Sequence, residues 1–514
     1  MKKTLAIVLS LALLLLALTG CGNTADSVTN EAAAAETPLQ TENTSQGSAS
    51  EPPGEMPGEP PEGSPPGEPP EGMNGDMNGT PPGDPPEGNG GPGGTPPGGF
   101  GGGAPGGPGG SSSADIDYAG AVEISSADTQ SGRTYASSTA DESALLVSTD
   151  AGVTIIEPTV TKTGDSDGGD NCNFYGLNAA VLVKDGATVT IIGGTIESAA
   201  EGANGVFCYG GNGGQNGADG DGTTLYISDT TITTTGNGSG GIMTTGGGVT
   251  YATNLTVTTS GRSSAAIRTD RGGGVVVVDG GTYTSNGLGS PAIYSTADIT
   301  VGDATLVSNQ SEGVCIEGKN SITLVNCDLT ANNTNRNGNA QFLDTIMIYQ
   351  SMSGDADSGT SSFTMLEGTL TSKNGHVFHV TNTNAVITLQ GVVIVNEDEE
   401  GILLSVCDDG WSGAGNVATL NAVGQQLTGI ILVGSDSTLT LNLTEGSTLE
   451  GTISGDITNA AGDTISTEVG TVTVVLDDSS TWTLTADTYI TAFEGSVENI
   501  LGDYTLYVNG TAIN

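Results

Sequence analysis

Basic residues are scarce in this chain. Its 514 residues include 11 Lys and Arg but 59 Asp and Glu, so the formal net charge is −48. A surface this acidic repels phosphate backbones and anionic headgroups, which excludes electrostatic binding of nucleic acid or of an anionic membrane. It also matches anionic polysaccharides poorly, unless cations bridge the two surfaces.

Aromatic residues and helical patterns are also scarce. Phe, Trp and Tyr make up 4% of the chain, which leaves few rings to stack on sugars. Between residues 145 and 455, apolar residues do not recur at the i, i+3, i+4, i+7 spacing of an amphipathic helix. The chain also has no H-E-x-x-H zinc motif and no phosphate-binding P-loop.

A short β-strand repeat fills the central part of the chain. Alternating apolar and Thr residues begin near Leu225, Val249, Val275, Ile299 and Ile322, at intervals of 24, 26, 24 and 23 residues. A period of this size built from short strands predicts a solenoid, with Val, Ile and Leu facing a narrow core. We therefore expect an all-β fold, a parallel β-helix with three faces over 116–455.

Longer intervals between repeats indicate insertions. Three segments account for them: Asp165–Phe174, Gly210–Gly222 and Met352–Ser362. We expect all three to be loops that project from one corner of the β-helix, because insertions in repeat proteins often mark the binding face. After residue 455 the repeat fades, and residues 456–514 are predicted to form a β-strand cap over the open end of the solenoid.

Residues 1–20 have the features of a secretory signal peptide. Lys2 and Lys3 precede an apolar run that ends at Leu18. The segment Leu18–Cys21 resembles a bacterial lipobox, which implies a lipid on Cys21; the alternative is an ordinary signal peptide with an unrelated cysteine. No later apolar run is long enough to cross a bilayer, so the lipid would be the only membrane anchor of an extracytoplasmic, surface-displayed protein.

Residues 21–115 have a different composition. They hold 19 of the 21 prolines, in Pro-Pro-Gly-Glu and Pro-Pro-Glu-Gly units, and no Lys or Arg. Such a segment cannot bury enough apolar surface to offset its chain entropy. We expect a disordered Pro/Gly/Glu-rich stalk between the lipid and the folded part.

Five cysteines follow Cys21, an odd number that argues against a complete disulfide framework. Their spacing does not match a C-x2-C metal site. Cys315 and Cys327 would be able to pair within one coil, whereas the alternative is that most of the five are small buried side chains. The five are Cys172, Cys208, Cys315, Cys327 and Cys407.

One acidic loop has the composition of a cation site. Asp165, Asp167 and Asp170 are spaced among glycines, and Asp355 and Asp357 form a shorter version. Hard cations such as Ca2+ take six to eight oxygen ligands from flexible loops of this kind. We expect Ca2+ at one or more of these places; the alternative is that these are solvated turn acids.

Three arginines lie within ten positions: Arg262, Arg268 and Arg271. Arginine forks bind carboxylates in a bidentate manner, so these side chains are candidates for recognising a uronate or a similar acidic group. If the protein were a lyase, Arg268, Asp270 and Arg271 would be the catalytic candidates. The alternative is an Arg–Asp ladder that neutralises acids on neighbouring coils.

Two further patterns lie on the strands. His376 and His379, the only histidines, are three positions apart in an apparent strand and are expected on opposite faces. The Thr-rich segment 230–235 would suit an ice-binding face, but Thr is a common strand residue. The irregular repeat lengths argue against a match to an ice lattice.

From 145 to 455 the chain resembles the right-handed parallel β-helix proteins of the pectate-lyase-like superfamily. More narrowly, it is similar to the adhesin-like or carbohydrate-binding β-helix lipoproteins of Gram-positive anaerobes. The likeness rests on the repeat, the lipobox and the stalk, and on four segments: Phe174–Ala180, Asp270–Gly274, Gly289–Ile293 and Ser353–Ala356.

This resemblance implies a noncatalytic surface protein that binds an extracellular polysaccharide, or a glycan or protein of another cell. One alternative is a polysaccharide lyase or glycoside hydrolase on the same scaffold. Such lyases carry calcium-binding Asp residues and an Arg or Lys base, and only the stretch Arg268–Arg271 suggests that set here. The other alternative is a structural envelope protein without a specific ligand.

Overall fold

The computed structural model describes residues 116–213, 219–336, 339–411 and 415–514. The predicted signal peptide, Cys21 and the stalk lie outside the described residues. The described part is all-β and is built from parallel strands, as predicted.

One sheet contains 15 strands, each contributed by a different turn of the chain; we call it face 1. It is parallel throughout. Its strands are β2 (Glu123–Ile124), β6 (Leu145–Ser148), β9 (Val181–Lys184), β12 (Val206–Tyr209), β15 (Ile242–Thr245), β17 (Ile267–Thr269), β19 (Ile293–Ser295), β22 (Val314–Glu317), β24 (Asp344–Tyr349), β26 (His376–Thr381), β29 (Ile402–Val406), β31 (Gln426–Val433), β33 (Thr448–Ser454), β37 (Thr481–Leu484) and β40 (Ile500–Leu501).

A second sheet contains 20 strands. They are β3 (Asp128–Ser131), β4 (Thr134–Ser137), β7 (Gly152–Ile156), β8 (Thr159–Lys162), β10 (Thr188–Ile192), β11 (Thr195–Ser198), β13 (Thr224–Ser228), β14 (Thr231–Thr234), β16 (Gly248–Thr259), β18 (Gly274–Ser285), β20 (Asp298–Gly302), β21 (Thr305–Ser308), β23 (Ser321–Ala331), β25 (Thr360–Ser372), β27 (Asn384–Gln390), β28 (Val393–Asn396), β30 (Asn416–Val423), β32 (Ser437–Thr444), β36 (Thr471–Leu476) and β39 (Ala492–Glu494).

The 20-stranded sheet consists of two faces joined at a bend. In a typical coil a first segment such as β10 forms face 2, and a second segment such as β11 forms face 3. The long strands β16 and β23 run through both faces, and each has a positive-φ residue at the bend, Asn254 and Asn326 respectively. Each coil therefore supplies three strand segments, and the parallel β-helix solenoid is confirmed.

The remaining elements are short. A two-stranded parallel sheet pairs β1 (Ala119–Gly120) with β5 (Glu142–Ser143), and a hairpin pairs β34 (Asp456–Thr458) with β35 (Thr464–Thr467). A three-stranded sheet contains β38 (Thr488–Ile490), β41 (Leu506–Val508) and β42 (Thr511–Ala512). There is one α-helix, α1 (Asp170–Tyr175), and one 3-10 turn, Val497–Asn499, in the described residues.

The inward side chains of the three faces form one continuous apolar core. Its register differs by one residue from the prediction at three coils. Leu225 pairs with Thr250 and Thr250 with Val276, not with Val249 and Val275. Likewise Phe363 pairs with Ile387 instead of Val386. The alternating pattern predicted the wrong register at Thr250, because this Thr occupies a buried core position. Thr250 Oγ1 lies 2.7 Å from Thr244 Oγ1, so the two hydroxyls satisfy each other.

The solenoid extends beyond the expected boundary at residue 455. Strands β36 and β37 continue the parallel ladders of β32 and β33, and β39 and β40 add to them. The three-stranded sheet of β38, β41 and β42 lies within the expected cap. This continuation could not be recognised from the repeat in the sequence, because the inserted β34–β35 hairpin lengthens the interval between consecutive core strands.

The insertions leave the solenoid at two corners, not one. Residues 163–180, which contain α1, connect face 3 to face 1, whereas residues 210–223 and 350–359 connect face 1 to face 2. Residues 332–343 and 407–415 also enter and leave face 1. Each of these insertions therefore adjoins face 1 at one of its two ends, and that arrangement determines which surface is covered.

Candidate functional site

The outer side of face 1 is buried from β9 to β29. Phe174 and Tyr175 of α1 pack on Phe207 and Met243. Farther along, Trp411 packs beside Tyr294 and Met347, and Phe342 beside Leu432. The insertions thus form a second, smaller core over face 1, and the buried Arg, His and most of the buried acidic side chains lie beneath it.

Arg268 and Asp270 form an ion pair beneath α1. Arg268 Nη2 lies 2.7 Å from Asp270 Oδ2, and both side chains are only 3% exposed. Arg268 Nη1 also donates to Asn173 Oδ1 and to the Ser263 carbonyl, at 3.2 Å each. Burial raises the pKa of Asp270 to about 7, although the Arg268 charge opposes that shift. Arg268 therefore already has internal acceptors and is closed to a large ligand.

Arg271 joins two insertions that are far apart in sequence. Its guanidinium donates to Asp355 Oδ1, at 2.5 Å from Nη2 and 3.2 Å from Nε. It also lies 4.3 Å from the centre of the Phe174 ring, a cation–π distance. Burial raises the pKa of the nearby Asp170 carboxyl, although Arg271 lowers it. Four of the predicted residues thus converge on one place: Asp170, Asp270, Arg271 and Asp355.

The other predicted site residues lie elsewhere. Arg262 is exposed at the corner between faces 3 and 1. Asp165 Oδ1 accepts from the Glu201 N–H at 2.9 Å, Asp167 is exposed, and Asp357 pairs with Lys319 at 2.9 Å. Among the described residues, no three His, Cys, Asp or Glu side chains are grouped so as to hold a metal ion.

Glu317 is a buried acid that the sequence did not single out. It accepts hydrogen bonds from Tyr294 at 2.5 Å, from Tyr349 at 3.1 Å and from the Ser351 hydroxyl. Burial nevertheless raises the pKa of Glu317. The Ser351 hydroxyl attaches the start of the 350–359 insertion to face 1, so Glu317 has a structural role.

His376 and His379 lie on the same side of face 1, so the prediction of opposite faces is wrong. Nδ1 of each ring is 2.6 Å from Ser405 Oγ. Strict alternation fails at the start of β26, because Val377 and Phe378 both join the core. Burial also lowers the pKa of His376 to about 3.

The same region has the composition of a hydrolase triad. His379 Nε2 is 3.1 Å from Asp409 Oδ2, but the two atoms do not form an aligned hydrogen bond. Ser405, His379 and Asp409 are all 0% exposed, and a nucleophile needs access to its substrate. The geometry therefore gives these residues a packing role.

The segment Gly164–Gly168 has the G-x-S-x-G spacing of a nucleophile elbow. Ser166 does not have the matching surroundings, because its hydroxyl bonds to Asp141 and accepts from the Gly168 N–H at 3.0 Å. Both histidines contact Ser405 instead. The G-x-S-x-G spacing in this loop is therefore a chance match and not a nucleophile elbow.

The described cysteines are all free and buried. Cys315 packs beneath the insertions on face 1, whereas Cys327 belongs to the inner core. A pair between these two is therefore not formed. Burial raises the pKa of Cys172 to about 11 and that of Cys208 to about 12, so these thiols are poor nucleophiles.

Among the described residues, Asp344 has a buried carboxyl group without a hydrogen-bond partner for its side chain. Neither of its oxygens has a hydrogen-bond partner in the described part of the chain. Burial, reinforced by the charges of Glu312 and Asp409, raises the pKa of Asp344 well above its usual value. This group is therefore a stability cost whenever it is ionised.

Replacing Asp344 by Asn is expected to stabilise the protein at alkaline pH. Because the folded-state pKa exceeds the unfolded one, the stabilisation by protonation is complete below the unfolded pKa of about 4 and is lost as pH rises through the folded pKa. Asp344→Asn should raise the free energy of unfolding at pH 8 by on the order of 1–3 kcal/mol, because it removes the charge of a buried carboxylate that has no hydrogen-bond partner among the described residues. Urea unfolding at pH 8 and pH 4 measures the difference, which should vanish at pH 4.

The control is Asp436→Asn, which neutralises an exposed carboxylate. It should change the free energy of unfolding by less than about 0.5 kcal/mol at either pH. Equal effects of the two substitutions would show that overall charge, not the burial of Asp344, sets the pH dependence.

In the described residues, the outward side chains of faces 2 and 3 are half-buried or exposed. Near the amino-terminal end of face 2, three neighbouring strands line a shallow depression that is open to solvent. Its lining residues are Ala127, Asp128, Thr129, Gly152, Val153, Thr154, Thr188 and Thr190. Hydrogen bonds from the Gln130 side chain and the Thr129 N–H lower the pKa of Asp128, so its carboxylate is ionised and accepts hydrogen bonds at neutral pH.

Two exposed tyrosines continue this surface on the next two coils. In the register of face 2, Thr190 pairs with Tyr226 and Tyr226 with Tyr251. The two rings stack, with centroids 5.1 Å apart and planes 9° apart, and they are 44% and 40% exposed. Since Tyr251 covers one face of the Tyr226 ring, the other face is on the side of Thr190 and the depression.

The charged residues singled out in the sequence do not lie on this surface, which was therefore not predicted. Tyr226 and Tyr251 are one repeat apart, and both occupy outward positions. That combination was the available signal, but the one-residue register error at Thr250 obscured which residues stack.

Comparison with protein-family models, with curated proteins and with solved structures found no match. In the residues with described structure, no helix is long and apolar enough to cross a membrane. Function must therefore be argued from the surfaces of this chain.

Proposed function

We propose that the protein is a noncatalytic cell-surface carbohydrate-binding protein, and that face 2 holds the sugar. The observation that carries this proposal is the exposed Tyr226 ring beside a depression lined with polar groups. Sugars are bound by stacking of their C–H surfaces on aromatic rings together with hydrogen bonds to their hydroxyls. Thr154, Thr188 and Thr190 supply donors and acceptors, and Asp128 supplies a charged acceptor.

The geometry favours a hydroxyl-rich, uncharged part of a glycan over a uronate. Arg268 and Arg271 were the candidates for binding an acidic sugar, but both are paired with Asp270 and Asp355. The Asp128 carboxylate at the rim would repel a uronate carboxylate. In this proposal, Arg268 and Arg271 have the structural role of holding the insertions on face 1.

The cellular setting rests on the resemblance and on residues outside the described part. In the proposal, a lipid on Cys21 anchors the protein to the membrane and residues 21–115 extend the solenoid from it. The partners are extracellular polysaccharides or the glycans and proteins of other cells. Nucleic acid is not a partner of so acidic a chain, and Ca2+ has no assigned role because Asp165, Asp167 and Asp170 are not grouped.

Replacing Tyr226 by Ala should weaken sugar binding about tenfold, which corresponds to about 1.4 kcal/mol for the loss of a stacking ring. Isothermal titration of the full-length protein with oligosaccharides selected from a glycan array would measure the change. Because Tyr226 is exposed, its loss should leave the melting temperature within about 2 °C of the original.

The chain offers a matched control. Tyr489 is 52% exposed and stacks on Tyr507 with ring centroids 4.6 Å apart, but this pair lies in the carboxy-terminal three-stranded sheet. Tyr489→Ala should bind as the original protein does. A loss of affinity in both variants, or in neither, would contradict the assignment of the site to face 2.

A further inference from the structure

Face 3 carries a column of exposed threonines, one from each of seven consecutive coils. Successive members are direct partners in the parallel ladder, and each side chain is exposed. We call this set the threonine column. Its members are Thr134, Thr159, Thr195, Thr231, Thr256, Thr282 and Thr305.

A second column runs beside it, two residues further along each strand. These positions face the same way, because side chains alternate along a strand. Four of the seven are Thr, and Glu197 is the only charged residue among them. The column consists of Ala136, Thr161, Glu197, Thr233, Thr258, Thr284 and Val307.

The threonine column stays in register although the coils differ in length. Successive members are 25, 36, 36, 25, 26 and 23 residues apart. The two long intervals contain the insertions 163–180 and 210–223, which leave the solenoid next to face 1. Irregular repeat length therefore does not prevent a regular face 3, and it does not exclude a match to an ice lattice.

The spacing makes face 3 a two-dimensional array of hydroxyl and methyl groups. Neighbouring coils are about 4.8 Å apart, and positions i and i+2 about 6.6 Å apart. In the described part of the chain, no hydroxyl of the threonine column donates to or accepts from another protein group. All seven are therefore free to bind ordered water, whose positions the adjacent methyl groups restrict.

We propose that face 3 binds the surface of ice, with the threonine column ordering water into the crystal lattice. The occupant must be uncharged and periodic, because the two columns contain a single charged residue, Glu197, on a chain of net charge −48, and because they repeat once per coil. A polysaccharide fits less well, since the two columns contain no aromatic ring and no amide, the groups that position sugars. This inference uses a different surface from the proposed sugar site and does not depend on it.

The test is adsorption of the full-length protein to a growing ice surface, combined with measurement of thermal hysteresis. The original protein should concentrate in the ice fraction and separate the freezing and melting points. Thr256→Tyr, which places a bulky side chain in the middle of the column, should reduce both effects about tenfold. The control is Thr300→Tyr, the same change on an outward position of face 2, and it should leave both unchanged.

Two milder variants guard against misfolding of Thr256→Tyr. Thr256→Val removes the hydroxyl and Thr256→Ser removes the methyl group, and each should weaken ice adsorption while the circular dichroism melt stays unchanged. Absence of the original protein from ice would overturn the proposal. Equal adsorption of Thr256→Tyr and Thr300→Tyr would overturn it too, as would binding of face 3 to an insoluble polysaccharide without binding to ice.

Discussion

Replacing Arg268 by Ala is expected to destabilise the protein by about 3–5 kcal/mol, because it leaves Asp270 as an unpaired buried carboxylate. Asp270 is 2% exposed, and its carboxylate accepts from Arg268. The loss should be largest at pH 8 and smaller at pH 5. Burial already raises the pKa of Asp270 to about 7, so protonation at the lower pH removes the uncompensated charge. Urea unfolding at both pH values measures the effect.

Two comparisons separate the buried pair from ion pairs in general. Lys319→Ala breaks the more exposed pair with Asp357, whose side chains are 47% and 32% exposed, and should cost less than about 1 kcal/mol. The double variant Arg268→Met with Asp270→Asn removes both charges and should recover most of the stability. If the double variant were as unstable as Arg268→Ala, the loss would come from packing instead of the unpaired charge.

Replacing Gly261 by Ala is expected to cost about 3 kcal/mol or more, because there is no space for a side chain between the coils. A Cβ at Gly261 would lie 1.8 Å from the carbonyl oxygen of Gly236 in the preceding coil. The same carbonyl accepts from Ser264, and the Gly261 carbonyl accepts from Ser290. Separating the coils to admit a methyl group would disrupt both bonds. Thermal unfolding followed by circular dichroism measures the loss.

Gly152→Ala is the matched control for this substitution. Gly152 lies at the start of β7, and a Cβ there would meet no atom within 4 Å. Its replacement should leave the stability within about 0.5 kcal/mol or raise it slightly, since Ala restricts the unfolded chain more than Gly does. Comparable losses in the two variants would show that the tight corner at Gly261 is not what holds the coils at their spacing.

The fold was predictable from the repeat because alternation and period are local properties of the sequence. The register was less predictable. Thr250 occupies a core position although it is not an apolar residue, so the alternating pattern favoured Val249 as the core residue. The boundary at 455 was misplaced for a related reason, since the hairpin of β34 and β35 interrupts a solenoid that continues through β36 and β37.

The candidate site was less predictable because it depends on which face the insertions cover. The Arg268–Arg271 stretch and Asp355 stood out as charges in a chain with few basic residues, yet the structure uses them to attach insertions to face 1. Tyr226 and Tyr251 stood out less, and in the described part of the chain they remain exposed on face 2. Residue type alone cannot distinguish these two outcomes; long-range contacts decide them.

The central claim is that face 2 binds a glycan without transforming it. A glycan array probed with the full-length protein, with and without EDTA, tests this claim most directly when Tyr226→Ala and Tyr489→Ala are run in parallel. We expect saturable binding to a set of uncharged glycans that EDTA does not remove, that Tyr226→Ala loses and that Tyr489→Ala keeps. Failure to bind any glycan, binding that depends on the cation, or release of shortened glycans would contradict it.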